Sequence, residues 1–472
     1  MLRSRFFFLL FAALLVGCTT PHQTTLFTQN GATCENRLSA YYKKVEHERD
    51  FKLPYHQDLR FPHLAFDRFS TSFVGELSSA SAQAQWLAYV GHKGKEQLDV
   101  ALALTPVDTR HQIELKQCQQ QLLEETIENS RFWGELENSP PSVPTAYEHW
   151  KRVVGVYPVA TLVAEGQIED EQERIKADFG RTLKHPFRYG EPPTHLTPQK
   201  VKAMFEEASR YSSLQWPLLT SDESEALLDR FSPLFVVETL SPNDIPGALT
   251  LDGQDRILIN TQTPVIYRSV TYTRFHGKVL PQLNYALWFP ARTAKGHIDP
   301  YAGEFDAVNV RITLGEDGAP LILDSIHQCG CYHMVYALSP TLWFTERDDE
   351  KPIQNYLFPT TDNGRFEISL TGGEHMISAI HVTDNIQPDI TLQAREIKET
   401  LMLSDSTGMR QSPFDEFGIL EQSLRGERWF LWPFGVRSPG AMRQHGQHAI
   451  AFIGERHFDD AFILETLLYQ SQ

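Results

Sequence analysis

The sequence predicts an α+β fold, in which an α-helical N-terminal half precedes an antiparallel β-rich C-terminal half. Three observations predict it. Apolar residues recur with helical spacing through much of residues 31–240. Near residue 240 a cluster of turn-forming residues appears, and short alternating strand patterns follow through residues 241–472. The 472-residue chain has 41% hydrophobic and 22% charged residues, which is typical of a folded protein long enough for two domains.

The first 17 residues predict a signal peptide. Arg3 and Arg5 form a short basic start, and residues 6–17 are an unbroken run of apolar and small residues. This run is too short to cross a bilayer, which takes about 20 residues. It ends in Leu-Val-Gly-Cys at residues 15–18, which resembles the lipobox of bacterial lipoprotein precursors. The resemblance implies cleavage before Cys18 and acylation of that cysteine.

The residues after the lipobox predict where such a protein resides. Thr19 stands where the lipoprotein family's inner-membrane retention signal has Asp, so the resemblance implies the periplasmic leaflet of the outer membrane. Residues 18–30 are polar and read as a tether. The net charge of −17 argues against nucleic acid as a partner. The expected partner is the membrane, which the protein would contact through its lipid anchor. A second partner, an envelope protein or a small molecule, is not identified by the sequence.

Two cysteines near the N-terminus are predicted to form a disulfide. Cys34 lies on the apolar stripe of a helical pattern with Leu38, and Cys118 lies on another with Leu122. Cysteines on the buried faces of two packed helices can reach one another, and an exported protein meets oxidising conditions. The alternative is two unpaired buried thiols.

Helices and strands are predicted in order along the chain. Pro residues within 139–144 interrupt the helical half, and Thr197 with Pro198 marks a helix start. Helices are expected at 112–132, from near 146, at 169–179, from 198 and at 221–231. Strands are expected at 248–251, 256–260, 265–275, 283–289, 309–314, 321–326, 366–370, 376–382 and 449–453, and a closing helix at 458–469. Residues 315–318 predict a hairpin turn.

The most unusual segment is residues 324–334, where two His and two Cys alternate with other residues. In an extended strand these side chains would share one face, whereas a tight turn at Gly330 would draw the two sulfurs together. Four interpretations stay open: a zinc or copper site, a disulfide between the two cysteines, a catalytic thiol at Cys331 with a neighbouring histidine as its base, and two inert buried thiols. The residues concerned are His327, Cys329, Cys331 and His333.

Several other polar residues are weaker candidates. His297 and Asp299 have the spacing of a metal-ligand or base–orienter pair, and Arg274 is suited to an anionic group. The histidines at 375, 381, 445 and 448 are interpreted as structural, and the aromatic run 429–434 as core or lid. Motifs of P-loop, zincin, EF-hand, lipase-type and Rossmann proteins are absent from the sequence.

The functional hypothesis is a lipid-anchored, periplasm-facing protein with a Cys/His metal-binding or metal-dependent site around residues 327–333. The first alternative is a non-enzymatic envelope binding or assembly protein in which Cys329 and Cys331 are structural. The second is a thiol-dependent hydrolase or transferase. The sequence does not decide whether the protein is an enzyme.

Overall fold

The computed structural model describes residues 26–48, 50–358, 364–383 and 386–471. Cys18, the predicted signal peptide and most of the predicted tether lie outside these residues. Helices occupy mainly the N-terminal half and sheets the C-terminal half, so the predicted α+β class is confirmed. None of the helices in the described ranges is long and apolar enough to cross a membrane.

The helices begin and end near capping residues. Thr197 and Thr220 accept hydrogen bonds from backbone amides in the first turns of the two helices predicted at 198 and 221, which confirms both starts. The long helix at 80–104 was not predicted individually. In chain order the helices are α1 Gln29–Glu48, α2 Arg68–Thr71, α3 Ala80–Leu104, α4 Thr109–Thr126, α5 Ser130–Asn138, α6 His149–Val154, α7 Tyr157–Ala177, α8 Pro198–Ser209, α9 Ser221–Phe231, α10 Arg428–Leu431 and α11 Ile463–Leu467.

Helices α1 to α5 enclose their own apolar core. Leu38, Trp86 and Leu122 are completely buried there. A disulfide between Cys34 and Cys118 joins α1 to α4 and confirms the predicted pairing. Because these cysteines are 84 residues apart in sequence, the bond closes a large loop of the unfolded chain.

The strands form two main sheets. Both mix parallel and antiparallel pairs, although the larger sheet is an antiparallel meander from β5 to β9. The strands are β1 Pro186–Gly190, β2 Leu234–Glu238, β3 Ala248–Leu251, β4 Ile257–Asn260, β5 Val265–Phe275, β6 Lys278–Arg292, β7 Gly303–Leu314, β8 Pro320–His327, β9 Met334–Ala337, β10 Leu342–Phe344, β11 Ile353–Tyr356, β12 Arg365–Leu370, β13 Ile377–Thr383, β14 Ile390–Thr391, β15 Gln393–Glu396, β16 Leu403–Ser404, β17 Arg410–Gln411 and β18 Leu468–Gln470. The predicted hairpin at 315–318 joins β7 to β8.

The two sheets draw strands from different parts of the chain. The larger runs β11-β9-β8-β7-β6-β5-β15, and the smaller runs β13-β12-β2-β1-β14. The smaller sheet joins strands from both sides of the domain boundary predicted at residue 240. The helices α1 to α5, which share a core of their own, end before β1. The later helices α8 and α9 pack on the sheets instead.

Two predictions near the C-terminus are wrong. Residues 449–453 do not form a strand, because their backbone amides donate to the side chains of Tyr147 and Glu350 instead of to a neighbouring strand. The predicted closing helix 458–469 is helical only in α11, and its last residues form β18, which pairs with β10. The apolar residues of both segments are therefore a sign that these segments are buried, and not a sign of the secondary structure they adopt.

One predicted anion-binding residue joins the two halves of the protein. Arg274 on β5 donates to Glu76 at 2.6 Å and to the main-chain oxygen of Ser72 at 2.8 Å. Its guanidinium also lies 4.3 Å from the ring centroid of Phe73. Arg274 therefore ties the sheet to the helical core and is already paired.

Candidate functional site

The segment with alternating His and Cys is a hairpin turn. β8 ends at His327 and β9 begins at Met334, so the chain reverses between them. Gly330 adopts φ +89°, and its amide donates to the main-chain oxygen of His327 at 2.8 Å. Glycine is required there because of the positive φ and because a Cβ would clash with the main-chain oxygen of Ala449. The alternative of a tight turn at Gly330 is therefore confirmed, and His327, Cys329, Cys331 and His333 do not lie on one face of a strand.

The two imidazoles of this turn contact different buried carboxylates. His327 Nδ1 lies 3.3 Å from Asp306 Oδ1, and His333 Nε2 lies 3.4 Å from Asp324 Oδ2. Burial lowers the pKa of His327 and lowers that of His333 to about 4, although the carboxylates oppose the change. Among the described residues neither ring hydrogen-bonds to a thiol. A catalytic thiol at Cys331 would therefore lack the base predicted for it.

Both cysteines of the turn are free thiols. Cys329 is buried, while Cys331 is half-buried, and the Cys331 amide donates to Cys329 Sγ at 3.4 Å. Hydrogen bonding between the thiols raises the pKa of Cys331, and burial adds to this. Burial acts to raise the pKa of Cys329 as well, but the hydrogen bonds from Cys331 outweigh it and lower that pKa. Cys331 is consequently a poor nucleophile.

Behind the turn lies a buried chain of alternating carboxylates and imidazoles. His375 Nδ1 is 2.9 Å from Asp306 Oδ2, and His375 Nε2 is 3.3 Å from Asp244 Oδ1. His327 contacts the other oxygen of Asp306, and Arg425 lies 3.5 Å from that oxygen. Burial acts to lower the pKa of His375, but the two carboxylates raise it overall. The two carboxylates therefore favour the charged form of the His375 imidazole, and their contacts hold the turn from behind.

A cavity of about 820 Å³ opens in front of the turn. This volume lies within the range of small-molecule sites, about 300–1,000 Å³. Cys331 and Tyr332 lie on its wall, and α7 forms another wall. Its lining combines apolar and charged side chains. The apolar ones include Ile168, Ile175, Ile353, Phe430, Phe434 and Phe452, and the charged ones include Arg174, Arg292, Lys295, Glu374 and Glu427.

Three cations of the cavity lining share one carboxylate. Arg292 Nη2 donates to Glu374 Oε1 at 2.9 Å, Lys295 Nζ pairs with the same carboxylate, and Arg174 Nη2 lies 3.7 Å from it. The Arg292 guanidinium also lies 5.4 Å from the ring centroid of Tyr332. These contacts neutralise much of the positive charge on this wall, so the wall is not an open anion site.

Glu427 is a buried acid of the cavity lining whose carboxyl has no partner in the part of the molecule that the structure describes. Its side chain is buried, and within the described ranges it forms no ion pair or hydrogen bond. It packs against Gly440, where a Cβ would overlap its carboxylate. Burial raises the pKa of Glu427 to about 7, against the opposing effects of Arg425 and Arg292. A buried carboxyl that titrates near neutrality and faces a cavity is a functional-site candidate.

The aromatic run at 429–434, predicted as core or lid, is mostly exposed or half-buried and lines part of the cavity. Phe430, Leu431 and Phe434 line the cavity, and Phe430 packs against Tyr301 with ring centroids 6.2 Å apart. Trp429 points away and is 72% exposed. The run follows Glu427 directly, so one short segment supplies both the unpaired acid and part of the apolar wall.

The weaker candidates lie in different environments. Asp299 lines the cavity, but its carboxylate closes its own loop by accepting from the amides of Lys295 and Tyr301, and His297 is exposed. His381 is exposed, while His448 is buried in a different polar pocket. No group of three or more His, Cys, Asp or Glu side chains in the described part of the chain is arranged to hold a metal ion.

The sequence analysis missed Glu427 and Arg292. Neither belongs to a motif, and each is an ordinary charged residue within a mixed segment. The one sequence signal near them was the aromatic run that follows Glu427. His375 was noted, but its convergence with His327 on Asp306 depends on the pairing of β7 with β8 and on the turn before β13.

Comparisons with known proteins provide no relative for this arrangement. No protein-family model matches the chain, and neither the curated proteins nor the solved structures contain a significant match.

Proposed function

We propose that the chain is a lipid-anchored envelope protein that binds a small amphiphilic cation in the cavity beside the Cys329–Cys331 turn. Acylated Cys18 would hold it at the periplasmic leaflet of the outer membrane. This is the non-enzymatic binding alternative, now with a defined site and ligand class. The observation that carries the proposal is the unpaired Glu427 carboxyl in the wall of a large, partly apolar cavity.

The charge pattern of the cavity favours a cationic ligand group. Arg292 and Lys295 already share Glu374, so an anion would have to compete with that carboxylate. Glu427 forms no ion pair with a cation of the described residues, and burying an unpaired carboxylate is unfavourable. A protonated amine beside Glu427 would supply such a partner. The apolar side chains of the lining would pack on a hydrocarbon body.

The proposed chemistry is tested with octylamine and the uncharged analogue 1-octanol. Each is titrated calorimetrically into the full-length protein in lipid nanodiscs, with empty nanodiscs as the blank. Octylamine should bind about tenfold more tightly at pH 8 than at pH 6, since Glu427 with a pKa of about 7 becomes mostly ionised over that interval. Binding of 1-octanol should not increase with pH.

A variant and a matched control assign the effect to Glu427. Glu427→Gln should weaken octylamine binding at pH 8 at least tenfold and remove its pH dependence. Glu421→Gln changes an exposed acid six residues away and should leave binding unchanged. Equal octylamine affinity in the wild type and in Glu427→Gln would refute the proposal.

A further inference from the structure

An exposed apolar surface lies where α6 meets α7. From residue 153 to residue 164 the chain has no charged side chain. Aliphatic side chains of this kind are usually buried, and contiguous exposed ones mark an interaction surface. We call this surface the apolar tip; its exposed members are Val153 at 80%, Val154 at 64%, Val156 at 57%, Val159 at 57% and Leu162 at 75%.

The base of the apolar tip is held firmly against the rest of the protein. Arg152 donates to the main-chain oxygen of Phe434 at 2.8 Å and pairs with Glu455 at 2.9 Å. The Tyr157 hydroxyl accepts from the amide of Gly454 at 2.7 Å. Between these attachments Val156 adopts φ 50°, which is unusual for a β-branched residue. The valines are therefore exposed by a constrained turn and not by a loose segment.

The composition of the apolar tip fits the interface of a bilayer. Trp150, 60% exposed, precedes the uncharged stretch, while the basic residues between them are paired, Lys151 with Glu148 and Arg152 with Glu455. An exposed tryptophan at the edge of an apolar segment is typical of chains that insert into the headgroup region. Seven residues separate Cys18 from the first described residue, Leu26, so these two residues lie at most about 28 Å apart. A lipid at Cys18 would thus keep the body close to the bilayer surface.

The apolar tip and the cavity share one helix. Ala164, Ile168 and Ile175 of α7 line the cavity, while Val159 and Leu162 of the same helix are exposed in the apolar tip. A molecule leaving the bilayer at the apolar tip would meet the cavity wall after one or two helical turns. We infer that the apolar tip inserts into the bilayer interface and that the cavity takes its amphiphilic ligand from that bilayer. The second part of this inference rests on the proposed function.

Insertion is tested by fluorescence quenching of Trp150. The full-length lipidated protein is reconstituted into vesicles of phosphatidylcholine or of its brominated analogue, in which the bromine quenches tryptophans that contact the lipid. Trp150→Phe should lose most of the quenching seen in the wild type. Trp343→Phe removes a tryptophan that is 49% exposed on β10, outside the apolar tip, and should leave the quenching unchanged. Equal quenching in the wild type and in Trp150→Phe overturns the inference.

A second variant separates a bilayer from a protein partner. Val153→Ser with Leu162→Ser should reduce the quenching of Trp150 at least twofold, with unchanged circular dichroism. A different result would favour a second copy of the chain as the partner. In that case the wild type self-associates in sedimentation, the double variant does not, and quenching is absent, which overturns the inference. The quenching measurement needs no ligand, so the two proposals can fail separately. If quenching is absent but octylamine binding still depends on Glu427, this inference alone is refuted. If quenching is present but such binding is not, the proposed function is refuted, and with it the bilayer source of the ligand.

Discussion

Glu427 should make the folded protein less stable as the pH rises, and Glu427→Gln should remove that effect. The ordinary pKa of a glutamate is 4.5, and burial raises that of Glu427 to about 7 in the folded state. Below pH 4.5 the carboxyl is protonated in the folded and in the unfolded protein, so it does not change the free energy of unfolding. Between pH 4.5 and 7 the unfolded chain ionises while the folded protein keeps the proton, so the free energy of unfolding falls as pH rises.

The magnitude follows from the same two values. The interval from 4.5 to about 7 corresponds to about 3 kcal/mol at about 1.4 kcal/mol per pH unit. Because the side chain is only 5% exposed, solvent screening reduces this figure little. Glu427→Gln keeps the size of the side chain and removes the titration. The free energy of unfolding of Glu427→Gln, taken relative to that of the wild type, should therefore rise by about 3 kcal/mol from pH 4 to pH 8.

Urea unfolding of both proteins at half-unit pH intervals measures this difference. A constant offset between the two proteins would reflect how well the amide packs, so the prediction concerns only the change with pH. Glu421→Gln, at an exposed position, provides the control and should track the wild type. A stability difference that stays flat from pH 4.5 to 7.5 would show that Glu427 is solvated or paired, and the reasoning about an unpaired buried carboxyl would fail.

Three further changes test the framework around the cavity. Gly330→Ala should lower the free energy of unfolding by more than about 2 kcal/mol because of its positive φ and the main-chain oxygen beside it, whereas Gly296→Ala in an open loop should change it little; equal effects in thermal melts would contradict this. Replacing both Cys34 and Cys118 with Ala should cost about 4 kcal/mol in urea unfolding, since the cross-link closes a loop of 84 residues; a loss below about 1 kcal/mol would speak against the loop argument. His375→Gln should lower the free energy of unfolding by about 3 kcal/mol at pH 6, because it removes the imidazole that pairs with the two buried carboxylates of Asp244 and Asp306. The pKa of His375 is raised in the folded state, so its contribution is complete below about pH 6.5 and is lost as pH rises through the folded pKa; a cost that grows between pH 6 and 9 would contradict this.

The sequence predicted well those features that depend on neighbouring residues. The start of α8 at Pro198 followed from its capping residue, α9 from the acids of its first turn, and the hairpin at 315–318 from its turn chemistry. The disulfide was predicted because two local helical stripes each placed a cysteine on a buried face. In each case the energetics are local, so a single sequence carries enough information.

Features that depend on distant residues were predicted poorly. The segment with alternating His and Cys left a strand and a tight turn at Gly330 both open, and the pairing of β8 with β9 decides for the turn. The apolar residues 449–453 suggested a strand, yet their amides bind side chains more than 100 residues away. Alternation of residue types shows which side chains are buried, and it does not show which backbone groups pair.

By itself, the sequence determined the order of helices before strands, the Cys34–Cys118 pairing and the resemblance of its first residues to a lipoprotein leader. Only the tertiary structure decided where a ligand could bind. The cavity takes its walls from α7, from the turn after β8 and from residues 427–456. The unpaired state of Glu427 depends on what those segments place around it. Burial and pairing of a charge are properties of the assembled neighbourhood, so no local pattern could have indicated this residue.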